Sequence, residues 1–295
     1  MGLRSPDFLI VGAAKCGTTS LAAALRDHPD VFMPTLKELS YFAQGDGQRV
    51  QTFDEYSAYF RDSGDAKVVG EASVAYLWSS SAAGMIAEQL GGQTKIIVML
   101  RAPWKMAYSL WGHQCRLERE SLAFEAALDA EEARRNGEMD LVGWRDNFFY
   151  SARASYANQV RRYIDVFGAE QVKVLVSEDV FKSPTEPYAD LCNWLGIQSM
   201  VLDRFPRSNV AGKSRIPGLR RWMDGSSFGK RLVRKILPGS IRSGGRKAVD
   251  RVNRKDVALD RMSSRTEEHL RSVFRRDVEE LSALVDRDLV SSWYA

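Results

Sequence analysis

The segment FLIVGAAKCGTTSL, residues 8–21, carries the residue types and spacing with the most chemical content in the chain. An apolar run closes on Gly12, a short loop follows, and Thr18, Thr19 and Ser20 stand where a helix would begin. Strand, glycine-bounded loop and helix start, in that order, let backbone N–H groups cradle a phosphate. Gly12 and Gly17 keep the spacing of the triphosphatase loop GxxxxGK[ST], but Thr18 occupies the position of its lysine. The only lysine here, Lys15, lies inside the loop. Backbone N–H groups and the three hydroxyls still suit a phosphate or a sulfate, while the displaced lysine argues against a magnesium-nucleotide triphosphatase.

These residues need a scaffold, and the hydrophobic pattern supplies one. DFLIVG (7–12) and KIIVMLR (95–101) are continuous apolar runs, as expected of strands buried on both faces of a parallel sheet. VFMP and VVGEASVAY hold two further strand segments, and VKVLVSE (172–178) reads as another buried strand. Between them, TTSLAAALRDHP, residues 52–63, MAYSLWGHQCRLE after Pro103, FEAALDAEEARRN, YANQVRRYIDVFG and YADLCNWLG read as helices. The amphipathic stretch TEEHLRSVFRRDVEELSAL closes the chain with one more. Strands alternating with helices predict an α/β fold around a mainly parallel sheet, with no internal repeat.

The 295 residues are 44% hydrophobic and 27% charged, values that exclude disorder and fibrous repeats. No apolar run reaches the roughly 18–20 residues that cross a bilayer. FLIVGAA is a poor signal peptide because Lys15 follows at once, and MGLRSP does not fit myristoylation because position 6 is Pro6. Cys16, Cys115 and Cys192 are widely spaced and odd in number, and the histidines are only His28, His113 and His269. A disulfide framework and a zinc site are therefore not expected, and a reducing, cytoplasmic compartment is. The net charge of +4 hides an asymmetry: residues 204–255 hold 16 Lys or Arg against Asp224 and Asp250 alone. A positive block of this kind, rich in Gly, Pro and Ser, points to an anionic partner.

The loop is one of several segments that match a known family in its order. HP at 28–29, KELSYF at 37–42, GEASVAYL at 70–77, IIVMLRAPWKMAYSLW at 96–111, SYANQVRRYIDVFGAEQVKVLVSED at 155–179 and LCNWLG at 191–196 follow one another, and RDLVSSW lies near the end. Together they resemble the sulfotransferases that use 3′-phosphoadenosine 5′-phosphosulfate (PAPS), in particular the Golgi enzymes of heparan sulfate modification and their bacterial relatives. The resemblance spans about the first two thirds of the chain and implies a P-loop-kinase-like central parallel sheet flanked by helices, in one domain over residues 1–295 of a bacterial protein. It implies metal-free transfer of a sulfonyl group from PAPS to a hydroxyl of a carbohydrate, glycolipid or secondary metabolite, leaving 3′-phosphoadenosine 5′-phosphate (PAP).

Residue by residue, the resemblance places Lys15 at the leaving phosphate, where charge develops as the S–O bond breaks. Cys16, Gly17, Thr18, Thr19 and Ser20 complete the cofactor loop. Arg101 and Ser109 grip the 3′-phosphate, for which a guanidinium fork is well shaped. GKSRIPG (212–218) partly matches the basic loop over that phosphate, which adds Lys213 and Arg215. KELSYF resembles the branch of the family with a glutamate base, so Glu38 is the candidate, with Lys37 beside it and His113 as the rival base. Glu71 reads as a structural or acceptor-side carboxylate. Tyr41, Phe42, Tyr76 and Trp78 are placed either at an acceptor cleft or in the core. A small-molecule or glycan acceptor is expected, and nucleic acid is not.

Two other readings stay open on sequence alone. A P-loop kinase or ATPase would use Glu178 or Asp179 near magnesium, against which stand the missing lysine after Gly17 and Arg101 at a strand end where an acid belongs. A non-catalytic anion- or nucleic-acid-binding protein would rest on the basic block 204–255, without any recognisable reader motif.

Overall fold

The structure is a computed structural model that describes residues 4–45, 48–206 and 261–295, with the backbone of 213–214 and 254–255. Five parallel strands form the central sheet in the order β2-β3-β1-β4-β5: β1 (Phe8–Gly12), β2 (Val31–Phe32), β3 (Val68–Ala72), β4 (Lys95–Leu100) and β5 (Val172–Val176). Every residue of FLIVG in β1 is buried, and in β4 only Lys95 is not, as a sheet covered on both faces requires.

The order of strands locates the site before any side chain is considered. From β1 the chain leaves by α1 (Thr18–Arg26) towards β2, on one side. From β4 it leaves towards β5, on the other. Neighbouring strands whose connections diverge open a crevice at their carboxyl ends, where α/β sheets bind ligands. The loop 13–17 and Arg101 flank that crevice between β1 and β4, and Ala13 N–H donates to Met99 O at 2.7 Å, tying the loop to β4.

Helices between the strands are α2 (Phe53–Ala58), α3 (Ala75–Trp78) and α4 (Ala82–Leu90) before β4, then α5 (Pro103–Arg116), α6 (Phe124–Asp129), α7 (Glu131–Arg135), α8 (Tyr150–Ala154) and α9 (Ala157–Phe167) before β5. After β5 come α10 (Ser177–Lys182), α11 (Thr185–Leu195), α12 (Ser264–Leu284) and α13 (Leu289–Tyr294). The helix expected over 52–63 stops at Ala58 and gives way to a 3₁₀ turn at Arg61–Ser63. FEAALDAEEARRN breaks at Ala130 into two short helices, because Glu131 turns inward to accept from Ser151. The strand expected over 172–178 ends at Val176 and passes directly into α10.

In α12, Leu270, Phe274, Val278 and Leu281 form one buried stripe against α5 and α9. From the same helix, Asp277 accepts the Tyr156 and Ala157 N–H groups at 2.7 and 3.2 Å, which satisfies the start of α9. Lys213–Ser214 and Arg254–Lys255 pair antiparallel. Otherwise the basic block from 207 on, including Arg215, lies outside the described residues. Among the described residues no helix is long and apolar enough to cross a membrane, and none of the three cysteines forms a disulfide.

Candidate active site

Gly17 sits at the amino end of α1 with φ 93°, a left-handed conformation that suits glycine, and a Cβ there would collide with the Phe181 ring. The sequence offered Thr18, Thr19 or Ser20 near this end, but no side chain caps the helix. The Ser20 N–H turns back to Gly17 O at 2.9 Å, and the N–H groups ahead of it point out of the helix end, as an anion needs. Lys15 is also left-handed, at φ 63°, which costs a non-glycine residue about 1–3 kcal/mol. No carboxylate pairs with its ammonium among the described residues. Burial, reinforced by the positive charges of Arg116, Lys37 and Arg101, pulls Lys15 down to about 8. Four cations gathered this closely fit a polyanion such as a phosphosulfate.

Cys16 contributes only its backbone to that cradle. Burial pushes its thiol up to about 12, and Sγ faces the Tyr156 hydroxyl at 3.8 Å. That hydroxyl donates to Arg101 O at 3.1 Å, so loop, α9 and the end of β4 are one connected unit. Arg101 is half-buried, and its charge acts on both Lys15 and Cys16. Ser109 and His113 lie one turn apart on α5, and Arg116 follows two turns after Ser109 on the same face.

Opposite the loop, Lys37 makes the central connection. Its ammonium donates to Thr18 Oγ1 at 3.1 Å, to Thr19 Oγ1 at 3.3 Å and to Glu38 Oε1 at 2.8 Å. The Glu38 carboxylate is thereby held against the hydroxyls of the phosphate loop. Its other oxygen accepts the Val74 N–H at 2.9 Å, and its own N–H donates to Ala72 O at 3.0 Å. Glu38 and Ser40 are both left-handed, at φ 62° and 54°.

Beneath this strap, Ser40 N–H donates to Ser73 Oγ at 2.9 Å, and Ser73 Oγ donates to Glu71 Oε1 at 2.5 Å. Tyr41 N–H donates to the Tyr76 hydroxyl at 3.1 Å. Glu71 is 1% exposed, and burial pushes its carboxyl up to about 7 against the opposing hydrogen bonds of Ser73 and Tyr76.

The structure thus brings Lys15, Lys37, Glu38 and the loop hydroxyls together. Of the residues expected on the acceptor side, Glu71 and Tyr76 are buried and brace the strap, within the aromatic cluster of Tyr41, Phe42, Tyr56 and Tyr76. Trp78 is half-buried beside Ala13, Ala14 and Val74, with the Arg153 guanidinium 5.7 Å from its ring centroid. His28 is structural, accepting the Asp30 N–H and facing Gln198 O. The carboxylates of the kinase reading are engaged elsewhere: Glu178 accepts the Ala102 N–H at 3.2 Å, and Asp179 pairs with Arg287. Sequence reading missed Arg116, whose seven-residue spacing from Ser109 was the available signal, and Arg153, which no spacing marks.

Comparison with known proteins agrees with this geometry. The chain is 30% identical to a sulfotransferase from Alicyclobacillus acidocaldarius of known structure, with a TM-score of 0.72 over 99% of this chain and 100% of that one. It is 25% identical over 206 residues to bifunctional heparan sulfate N-deacetylase/N-sulfotransferase 1 of Caenorhabditis briggsae, covering 65% of this chain. It is 30% identical over 108 residues to membrane-associated sulfotransferase kil1 of Dictyostelium discoideum, covering 35% of this chain. The chain spans about a quarter of the length of these two curated relatives, 23% and 22%. Residues 5–208 match the model of the sulfotransferase domain, and with the P-loop-kinase-like sheet and loop described above this places the chain in the sulfotransferase family.

Proposed function

We propose that the chain transfers the sulfonyl group of PAPS to a hydroxyl of a carbohydrate, glycolipid or secondary metabolite, by in-line displacement with a carboxylate base. The observation that carries this reading is the Lys37 bridge, which sets the Glu38 carboxylate beside the hydroxyls of the phosphate loop. A base there can take the proton of an incoming hydroxyl while that oxygen faces a group held in the loop. When bound, PAPS supplies the activated sulfonyl group and a stable phosphate leaving group.

The other roles are those of this chain's residues. Lys15, with the backbone of Cys16 and Gly17 and the hydroxyls of Thr18, Thr19 and Ser20, holds the 5′ end of the donor and meets the charge that grows on the leaving oxygen. Arg101 and Ser109 hold the 3′-phosphate, with Lys213 and Arg215 assigned there by resemblance alone. Lys37 orients Glu38, Glu71 and Tyr76 keep the strap in shape from below, and His113 lies on the acceptor side. The heparan sulfate relatives favour a glycan among the acceptors.

The test is transfer of label from [³⁵S]PAPS to a panel of sugars, glycolipids and phenols in EDTA. Labelled sulfate ester on at least one acceptor is the expected result. Hydrolysis of ATP–magnesium with no PAPS turnover would overturn the reading in favour of a P-loop kinase or ATPase.

A further inference from the structure

Among the described residues a single aromatic side chain is exposed, that of Phe181, at 44%. It is not a loose surface ring. Phe181 lies in α10, the helix that follows β5 directly, and the far edge of its ring rests on the phosphate loop: a Cβ on Gly17 would stand 2.4 Å from Cε2 and 2.5 Å from Cζ. One turn earlier in the same helix, Ser177 Oγ donates to Cys16 O, so α10 is tied to the loop at two consecutive residues. Phe205 meets the ring edge-to-face, with centroids 5.4 Å apart and planes at 73°, and Phe205 packs in turn on Tyr188, whose hydroxyl donates to Ala24 O of α1. An apolar ring is thus fixed beside the anion cradle with part of its surface left open.

The strand order says which part of a ligand meets it. In the order β2-β3-β1-β4-β5, the Glu38 carboxylate hangs from Ala72 and Val74 at the end of β3, on one side of the loop that follows β1. Arg101 at the end of β4 and Phe181 after β5 lie on the other side. A donor with its 5′ end in the loop and its 3′-phosphate at Arg101 therefore has its sulfonyl end towards Glu38 and its nucleoside towards α10. We propose that the adenine ring of the donor lies on the open surface of Phe181. The inference rests on the sulfotransferase reading above and adds to it the residue that holds the base. A purine has two apolar faces that stack on an aromatic ring, and a ring braced in advance loses little freedom when the base arrives. An apolar acceptor, by contrast, has to enter on the β3 side to reach the carboxylate.

The experiment measures binding to the full chain by calorimetry with two ligands: PAP, and ribose 3,5-bisphosphate, which keeps both phosphates and lacks the base. Wild type is expected to prefer PAP. Phe181→Ala is expected to weaken PAP by about 5- to 100-fold in Kd, the usual worth of stacking one base on an aromatic ring, and to leave the base-less ligand unchanged. Phe181→Leu keeps an apolar side chain against Gly17 and Phe205 and is expected to lose affinity for PAP, whereas Phe181→Trp retains it. Phe181→Trp also adds an indole whose fluorescence PAP quenches beyond the change seen in wild type, while ribose 3,5-bisphosphate does not. That readout holds even where the Ala variant fails to fold or the base-less ligand binds too weakly to titrate.

Equal losses for both ligands in the folded variants would show that Phe181 only packs the loop, and would overturn the proposal. So would a PAP affinity that Phe181→Leu leaves intact, or an added indole that PAP does not quench. Any of these results with normal PAP binding by the wild type removes this inference alone. Failure of the wild type to bind PAP removes the sulfotransferase reading and this inference with it.

Discussion

The phosphate loop, residues 13–17, and the Glu38 strap, residues 37–41, meet at the Lys37 ammonium but take their shapes from different parts of the chain. The loop is a local object. Its glycines, its lysine and the amino end of α1 all come from one run of residues between β1 and the first turn of the helix. The strap is assembled from a distance: Ala72, Ser73, Val74 and Tyr76 hold its backbone and its carboxylate, and Glu71 lies beneath. Two of its residues, Glu38 and Ser40, are held left-handed by those contacts and not by glycine. Donor chemistry shared by a family can be encoded in a short segment. Acceptor chemistry, built from many segments, is free to change one support at a time.

The comparison makes its largest prediction at the strap. Glu38→Gln keeps the size of the side chain and one oxygen, which can accept from Lys37 or from the Val74 N–H but not from both, and it cannot take a proton. It is expected to fold, to bind PAP as the wild type does, and to lose on the order of 10²–10⁴ in turnover with [³⁵S]PAPS. An active Glu38→Gln alongside a dead His113→Ala would break the assignment and move the base to α5.

That difference in construction also explains what the sequence could and could not disclose. Lys15, Thr18, Thr19 and Arg101 were legible because loop, strand end and helix start are contiguous features with a fixed order. Buried strands β1 and β4 were legible for the same reason: continuous apolar runs have one reading in a parallel sheet. The Lys37 bridge, the Glu71–Ser73–Ser40 chain and the unpaired Arg153 were not legible, because each joins residues separated by folding and each residue type is ordinary on its own. Tyr76 illustrates the limit: an aromatic at that spacing serves a cleft or a core equally well, and only the packing of Phe42 and Tyr56 around it decides for the core.

A second prediction sharpens the view of the strap as a braced element. With Glu71 at about 7 in the folded protein and its ordinary value of 4.5 when unfolded, the folded state binds more protons between those values. Stability therefore falls as pH rises from 4.5 to about 7, by roughly 3 kcal/mol in all if Glu71 acts alone. Glu71→Gln keeps the acceptor for Ser73 and removes the charge, so urea unfolding at pH 5 and pH 8 should show a flatter dependence than the wild type. An unchanged slope would mean that Glu71 does not titrate in that window.

The donor loop is tested most directly by ligand-linked stability, which also bears on the central claim that this site holds a 3′-phosphoadenylate without metal. Thermal and urea unfolding are measured in EDTA with PAP, and in parallel with ATP and magnesium. At 100 times its dissociation constant PAP should add about 2.7 kcal/mol at pH 7. Its affinity should decline above pH 8, because Lys15, at about 8, loses the proton that pairs with the anion. Stabilisation by PAP in EDTA that weakens through this pH range is the predicted result; no shift with PAP beside a clear shift with ATP–magnesium would contradict it.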